Sequence, residues 1–540
     1  MKIALVQINP TVGDIRSNIQ KMRAYVELAK EKGCDLVVFP ELCITGYPPK
    51  DLLERDDFCQ AAIAAMYSFI SDITGIGILC GNIELNSVPF GKKLYNTAYL
   101  FENGVLLHTV QKEFLSAHPF FNEYRFFEPG RKNKPFTYKN HRIGISVGEI
   151  IQPTDTSVSD PIDRFIHQGA TLLIHISAVP FLAGESIHPY TPFSNAAQHY
   201  QRPFFHVNSV GGNDSVLFAG ASAAYAPSGQ LFAQAKRFEE DLIVANLSTH
   251  TGDLWDVNTD PYAQILSALV MGVRDYLQKA NFTQALVGLS GGVDSALVLY
   301  IATQAIGSEH VKAIFMPSRY TSPDNFDDTK RLARTLGVSY EVIEIDSLFT
   351  DLVSHIASDF NSEKPAIVHQ NLQARIRGIL LMSISNQENS ILLSTGNKSE
   401  MAVGYCTLYG DMCGGLSVLA DVWKTDVWKL CNYINRTSEI IPSRIITKPP
   451  SAELAPNQTD EDELLSYEML DVILKGYIEQ EESPDDLVAK GFEKEVVQQI
   501  IVRICRNEYK RFQAAPGLTI SSKPFGCGRQ YPLAGRCTIE

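Results

Sequence analysis

The string Gly288-Leu-Ser-Gly-Gly-Val-Asp-Ser295 holds the residues of this chain whose types and spacing most directly imply chemistry. An apolar run precedes it and a helical pattern follows, so it lies at a strand-to-helix turn. Free backbone N–H groups at a helix N-terminus, together with the helix macrodipole, attract an anion there, and glycines let the anion approach the backbone. This geometry puts Ser290, Gly291, Gly292 and Ser295 against phosphate, with Gly288, Leu289 and Val293 completing the loop. Asp294 adds a carboxylate able to help hold Mg²⁺. A lone Gly-Gly would read as a tight structural turn, whereas eight residues in this context read as a phosphate loop. No Gly-Lys-Ser/Thr follows at the spacing that the commonest nucleotide loop requires.

Such a loop needs a strand and a helix to aim it, and the flanking text supplies them. Residues 263–279 read as a helix, 285–289 as a buried strand, 295–305 as a helix, 311–316 as a strand and 326–336 as a helix. Strand, Gly-rich turn, helix and strand form the βαβ grammar of a doubly wound parallel sheet. Upstream, residues 248–261 turn polar and read as a linker. The first 247 residues alternate strand and helix patterns of their own. Asp14 caps a helix with an apolar stripe of Ile15, Ile19, Met22, Val26 and Ala29, ended by Gly33. Strands are expected at 2–8, 35–39, 76–83, 94–110, 142–147, 171–176, 204–209 and 222–235, with Glu102-Asn-Gly104 and Pro227-Ser-Gly229 as hairpin turns.

A chain of 540 residues is too long for one hydrophobic core, and its 45% apolar and 20% charged content is ordinary globular composition. The net charge of −14 argues against a surface built for nucleic-acid backbones. No signal peptide or membrane span is expected, which points to the cytoplasm. The ten cysteines are scattered without a Cys-x-x-Cys pair and are expected to be reduced, buried thiols rather than metal ligands. None lies between Cys80 and Cys406.

The phosphate loop resembles that of the ATP pyrophosphatases, which cleave ATP to AMP and PPi and include NAD, GMP and asparagine synthetases and tRNA-thiolating enzymes. Further strings narrow the resemblance to NAD synthetase: Asn371-Leu-Gln-Ala-Arg-Ile-Arg-Gly378, Leu381 to Asn386, Ser394-Thr-Gly-Asn-Lys-Ser-Glu-Met-Ala-Val-Gly-Tyr-Cys-Thr-Leu-Tyr-Gly-Asp411, Asp421 to Thr425 and Pro450 to Gln458. The match spans residues 262–540 and implies a two-step ligation. The carboxylate of deamido-NAD attacks the α-phosphate of ATP, and ammonia then displaces AMP from the acyl adenylate. By matching positions, Gly288 to Ser295 would hold pyrophosphate and Thr395 the adenine nucleotide. Asn371, Glu400 and Lys510 would contact deamido-NAD, with Glu400 alternatively a Mg²⁺ ligand beside Asp294, and Lys398 and Lys424 would face phosphates. Alone, Lys510 reads as part of a solvated helix face, and only the family match reverses that. Asp411 is the candidate for orienting or deprotonating incoming ammonium.

Residues 1–247 resemble the nitrilase-like glutaminase domain of glutamine-dependent NAD synthetases, which implies an α-β-β-α sandwich. In that family a Glu, a Lys and a Cys hydrolyse glutamine. Phe39 to Tyr47 supplies Glu41, and Lys112 stands ahead of Phe121 to Phe127, but Gly148 occupies the position of the nucleophile. Cys43, near Glu41, is a remote substitute. Other departures surround the pocket: Glu149-Ile-Ile151, Ser116-Ala-His-Pro119, Val179 where the family has serine, and Glu185 near an expected lysine. Together they indicate natural decay rather than one engineered change.

The expectation is therefore an ATP- and Mg²⁺-using α/β NAD synthetase, homo-oligomeric by resemblance, that takes free ammonia and keeps a degenerate glutaminase. Two rivals differ in kind. One uses glutamine through an unorthodox nucleophile or a partner glutaminase, and in the other the N-terminal domain is a regulatory module that binds a metabolite. GMP synthetase chemistry is a distant third.

Overall fold

The computed structural model describes residues 1–118, 120–148, 161–184, 191–356, 367–456, 458–460, 464–526 and 528–535. Two compact units divide it, Met1–Asp260 and Pro261–Glu540.

The first unit contains β1 (Lys2–Gln7), β2 (Leu36–Val38), β3 (Gly77–Leu85), β4 (Leu94–Glu102), β5 (Val105–Gln111), β6 (Phe136–Tyr138), β7 (His141–Val147), β8 (Leu172–Ser177) and β9 (Phe204–Asn208). It continues with β10 (Val210–Asn213), β11 (Val216–Ala219), β12 (Ala223–Tyr225), β13 (Leu231–Gln234), β14 (Asp241–Asn246) and β15 (Thr251–Gly252). One sheet runs β15-β14-β1-β2-β3-β4-β5, another β13-β12-β9-β8-β7-β6, and β10 and β11 form a separate hairpin.

Alternation along the strands assigns each face. Ile3, Leu5, Leu36 and Val38 point inward and pack with Ile143, Ile145, Ile174 and Val207 of the other sheet. Their neighbours Ala4, Val6 and Val37 point outward against Met22 and Val26 of the helix Ile15–Glu31 and Met66 and Phe69 of the helix Asp56–Ser71. Behind the second sheet, Ile162 and Phe165, from the helix Pro161–His167, pack with Leu173 and with Phe193 and Ala197 from the helix Thr191–Tyr200. The result is the expected α-β-β-α layering. Asp14 accepts from Ser17 N–H at 3.0 Å, and Gly33 adopts φ +68° just beyond the helix end, as the pattern predicts. The segment expected as a linker, 248–261, differs in part, because Thr251–Gly252 forms β15 and extends the first sheet by pairing with β14.

In the second unit β16 (Ala285–Gly288), β17 (Val311–Phe315), β18 (Ser339–Val342), β19 (Ile391–Ser394) and β20 (Leu416–Ser417) form a wholly parallel sheet in the order β18-β17-β16-β19-β20. The chain steps outward one way from β16 to β18 and then returns to the other side of β16. That reversal opens a crevice at the carboxyl ends of the central strands.

No helix among the described residues is long and apolar enough to cross a membrane. Among the described residues, seven cysteines are free thiols. Cys505 is disulfide-bonded, which corrects the expectation of reduced thiols throughout, and cysteines 527 and 537 lie outside the described residues.

Candidate functional site

At the end of β16 the chain turns through Leu289–Gly292 into the helix Val293–Ile306. Two hydroxyls wind this loop. Ser290 N–H donates to Ser295 Oγ at 3.2 Å, the Ser290 and Ser295 hydroxyls lie 3.1 Å apart, and Ser295 Oγ donates to Gly292 O at 3.0 Å. Gly291 has φ +89°, and a Cβ there would fall 2.6 Å from Asn325 Cγ, so the position needs glycine. Gly292 caps the helix with no side chain, leaving first-turn N–H groups free for an anion.

The loop borders a cavity of about 520 Å³ that is also lined by Asn371, Thr395, Glu400, Asp411, Lys424 and Lys510. Elements distant in sequence bring these side chains together. Asn371 comes from the helix Ile367–Glu388, Thr395 from the end of β19, Glu400 from the helix Lys398–Val403 and Lys424 from the start of the helix Lys424–Ile434. Lys424 Nζ bonds Asp294 Oδ2 and lies 3.7 Å from Glu400 Oε1. Burial pushes Glu400 up to about 8, with Asp294 adding to the shift and Lys424 opposing it. Desolvation pulls the Lys424 ammonium down, but Asp294 and then Glu400 raise it above its ordinary value, so it stays charged. Thr407 Oγ1 donates to Asn371 Oδ1 at 2.8 Å, and Lys510 Nζ donates to the Gly404 and Cys406 carbonyls at 2.7 and 2.8 Å.

Asp411 accepts from Thr407 N–H at 2.6 Å. Its side chain is open to the cavity yet walled by protein, and burial pushes it up to about 6.

One expected site residue lies elsewhere. Lys398 has no exposed surface, and its ammonium is caged by Asp421 at 2.8 Å, Glu479 at 2.7 Å and Ser521 Oγ at 2.7 Å. The side chain turns away from the cavity, so it does not face phosphates; this corrects the expected role. A buried ammonium needs counter-charge, and Asp421 and Glu479 supply it. Residues not singled out from sequence complete the cavity wall. Glu453 accepts from Asn325 Nδ2 at 2.9 Å and Ser322 N–H at 3.3 Å and pairs with Lys448, while Asn325 Nδ2 also reaches Ser290 O at 3.2 Å. A glutamate inside the 450–458 string was the only available signal. Asn457 in that string lies outside the described residues.

In the first unit, Glu41, Lys112 and Gly148 follow β2, β5 and β7, so three strand ends bring them together. Lys112 Nζ lies 2.8 Å from Glu41 Oε1 and 2.8 Å from Glu123 Oε2, all three side chains being about 1% exposed. Asn96 Nδ2 donates to Glu41 Oε1 at 2.6 Å, Ala178 N–H to Glu41 Oε2 at 3.1 Å, and Ser116 N–H to Glu123 Oε2 at 2.6 Å. Desolvation pushes Glu41 up, partly opposed by Lys112. Glu123 was not assigned from sequence; its signal was its place just beyond Lys112, in the Phe121 to Phe127 string.

Gly148 has φ +97°, and a Cβ there would meet Lys112 Cε at 2.2 Å and Nζ at 2.7 Å. The lysine fills the space a side chain would need. Cys43 packs in the helix-facing core, and burial pushes its thiol up to about 12. Residues 149–151, Pro119 and Glu185, other expected departures, lie outside the described residues.

The family model for NAD synthase matches residues 265–514, and that for carbon-nitrogen hydrolase matches residues 2–256. A glutamine-dependent NAD(+) synthetase of Synechocystis sp. is 39% identical to this chain over 98% of both proteins. This chain belongs to the glutamine-dependent NAD(+) synthetases. The counterpart of Acinetobacter baylyi is 38% identical, again over 98% of each protein. A solved glutamine-dependent NAD(+) synthetase of Acinetobacter baumannii, in complex with ADP, aligns over 98% of both chains with a TM-score of 0.78 and 36% identity. As a glutamine-dependent NAD(+) synthetase the chain is an ATP-dependent ligase, and its parallel-sheet unit is the NAD synthase part.

Proposed function

We propose that this chain amidates deamido-NAD with free ammonia, as the last step of NAD biosynthesis, and that its carbon-nitrogen hydrolase unit, residues 1–247, is catalytically silent. The observation that carries the reading is Lys112 Cε lying 2.2 Å from where a Cβ at position 148 would sit. With no nucleophile, and with Glu41 and Glu123 already paired to Lys112, nothing is left to attack a glutamine amide.

In the synthetase unit, residues 262–540, the loop Gly288–Ser295 holds the β- and γ-phosphates and Thr395 the adenine nucleotide. Asn371, Glu400 and Lys510 hold deamido-NAD. The nicotinate carboxylate oxygen bonds the α-phosphorus as the bond to pyrophosphate breaks. Ammonia then bonds the acyl carbon, AMP leaves, and the surplus proton passes to Asp411. Lys424 offsets the charge that gathers as carboxylate and phosphates converge.

The donor set suits Mg²⁺. The carboxylates of Asp294 and Glu400 converge with one ammonium between them, and Mg²⁺ commonly takes one or two carboxylates and completes its shell with phosphate oxygens and water. Asp294 and Glu400 would hold the ion, which when bound neutralises phosphate charge.

The exposed apolar side chains Ile367, Val368, Ile379 and Met382 of one helix support a homo-oligomer. Seven free thiols support a cytoplasmic location, and the Cys505 bond is the observation against it.

The test is NAD formation from deamido-NAD, Mg²⁺ and ATP with ammonium chloride or with glutamine as the nitrogen source. Turnover with ammonium alone is expected, and equal turnover with glutamine would overturn the reading.

A further inference from the structure

Asn397 lies inside the Ser394 to Asp411 string, where sequence reasoning gave it no role, and it has no exposed surface. Every polar group it offers toward this site is used. Its Oδ1 accepts from Glu400 N–H at 3.0 Å, and its own N–H donates to Glu400 Oε2 at 3.2 Å, a reciprocal cap on the helix Lys398–Val403. Its Nδ2 donates to Asp294 Oδ1 at 3.0 Å. Lys424 engages the opposite oxygens, Asp294 Oδ2 and Glu400 Oε1. The Asp294 carboxylate is thus held between the Asn397 side-chain amide and the Lys424 ammonium, and the Glu400 carboxylate between the Asn397 backbone N–H and that same ammonium.

We infer that Asn397 is a positioning residue for ATP binding, its side-chain amide orienting Asp294 toward Glu400 across the mouth of the phosphate loop. The cap alone does not demand asparagine, because Ser, Thr and Asp cap helices comparably. The link to Asp294 does. It requires a donor on the same short side chain whose oxygen already serves the cap, and only the Asn amide supplies both at that length. The neighbouring residues fix the amide in place. Lys398 is locked among Asp421, Glu479 and Ser521, and Ser399 Oγ both donates to Asp471 and accepts from Lys424 N–H at 3.0 Å. The first turn of this helix cannot drift, so the amide reaches Asp294 from a rigid base.

This rests on the reading that Asp294 and Glu400 belong to the ATP site. The experiment compares the full-length wild type with Asn397→Asp and Asn397→Ser, measuring the Kd for Mg·ATP by calorimetry, KM against kcat with ammonium, and the melting temperature. Both replacements retain a capping oxygen. Aspartate sets a third carboxylate against Asp294, and serine falls an atom short of it. The expected result is a Kd and a KM for Mg·ATP raised about tenfold in Asn397→Asp and by a smaller factor in Asn397→Ser, as the loss of one charge-assisted hydrogen bond implies. Should Asn397→Asp fail to fold, Asn397→Ser decides by itself, because it adds no charge. Wild-type affinity in Asn397→Ser would reduce Asn397 to a helix cap and overturn the inference. A wild-type protein that binds no Mg·ATP would instead overturn the assignment of the site, and with it this inference.

Discussion

With no side chain at position 148, the Lys112 alkyl stem and ammonium settle into the space a Cβ would take, and two carboxylates close around them. That arrangement is a stable end point: a buried charge is tolerated when it is paired, and Glu41, Glu123 and Lys112 answer one another. At Asp411 the balance is different. Burial raises its pKa from an ordinary 3.8 to about 6, so the folded state favours the neutral form. The contribution to stability is full below 3.8 and is lost as pH rises through about 6. Activity runs the opposite way, since only the ionised group accepts a proton. Asp411→Asn, neutral at every pH, is therefore expected to melt no lower than wild type at pH 7.5 while its ammonia-dependent kcat falls by about tenfold or more. Thermal melts and initial rates check the pair, and full activity in the variant would remove Asp411 from the amination step.

Between residue and molecule, the elements around the cavity act by being tied together. Segment 448–454 contains no regular helix or strand, yet Glu453 anchors it to Asn325 and Ser322, and Asn325 in turn reaches the phosphate loop at Ser290 O. Lys448 also donates to Asn325 Oδ1 at 3.0 Å, so the tie is doubled. Two hydrogen bonds to a carboxylate contribute about 1.5–3 kcal/mol each in a favourable setting, and loss of part of that is about tenfold in affinity. Glu453→Ala is expected to raise the KM for ATP on that scale and to leave the melting temperature near wild type, because the segment adds little to either core. Steady-state kinetics at varied ATP measures this, and an unchanged KM would show that the tie does not shape the cavity.

Across the whole molecule, glutamine use would require more than a thiol. It needs a nucleophile, a base and a cation arranged around an open pocket, and on the proposed reading Lys112 already fills the space at position 148. Gly148→Cys must displace Lys112 from Glu41 and Glu123, and forcing extra atoms into a packed site costs about 1–3 kcal/mol. The expected outcome is a lower melting temperature and glutamine-supported NAD formation that stays well below the ammonium-supported rate. Recovery of glutamine turnover equal to the ammonium rate by this single change would mean that the surrounding pocket never decayed.

Local patterns carried much of the architecture. The short apolar run from Lys2 to Ile8, the stripe from Ile15 to Ala29 and the glycines of the phosphate loop specify strand, helix and turn from neighbours alone. The turn from Gly288 to Ser295 was legible because every group in it is local, and Glu41, Lys112 and Gly148 were named from the family resemblance of the strings around them. What sequence could not give was the direction of long side chains. Lys398 and Lys424 look alike as lysines at the edges of matched strings, yet one ammonium is caged by Asp421 and Glu479 and the other meets Asp294. The reach of Asn397 to Asp294 shares that character, since it spans 103 residues of chain. Such contacts exist only once the sheet has brought strand ends together. Composition, periodicity and motif therefore determined which chemistry the chain carries, and the tertiary structure decided which charges meet, because electrostatic pairing depends on distance in space and not on separation along the chain.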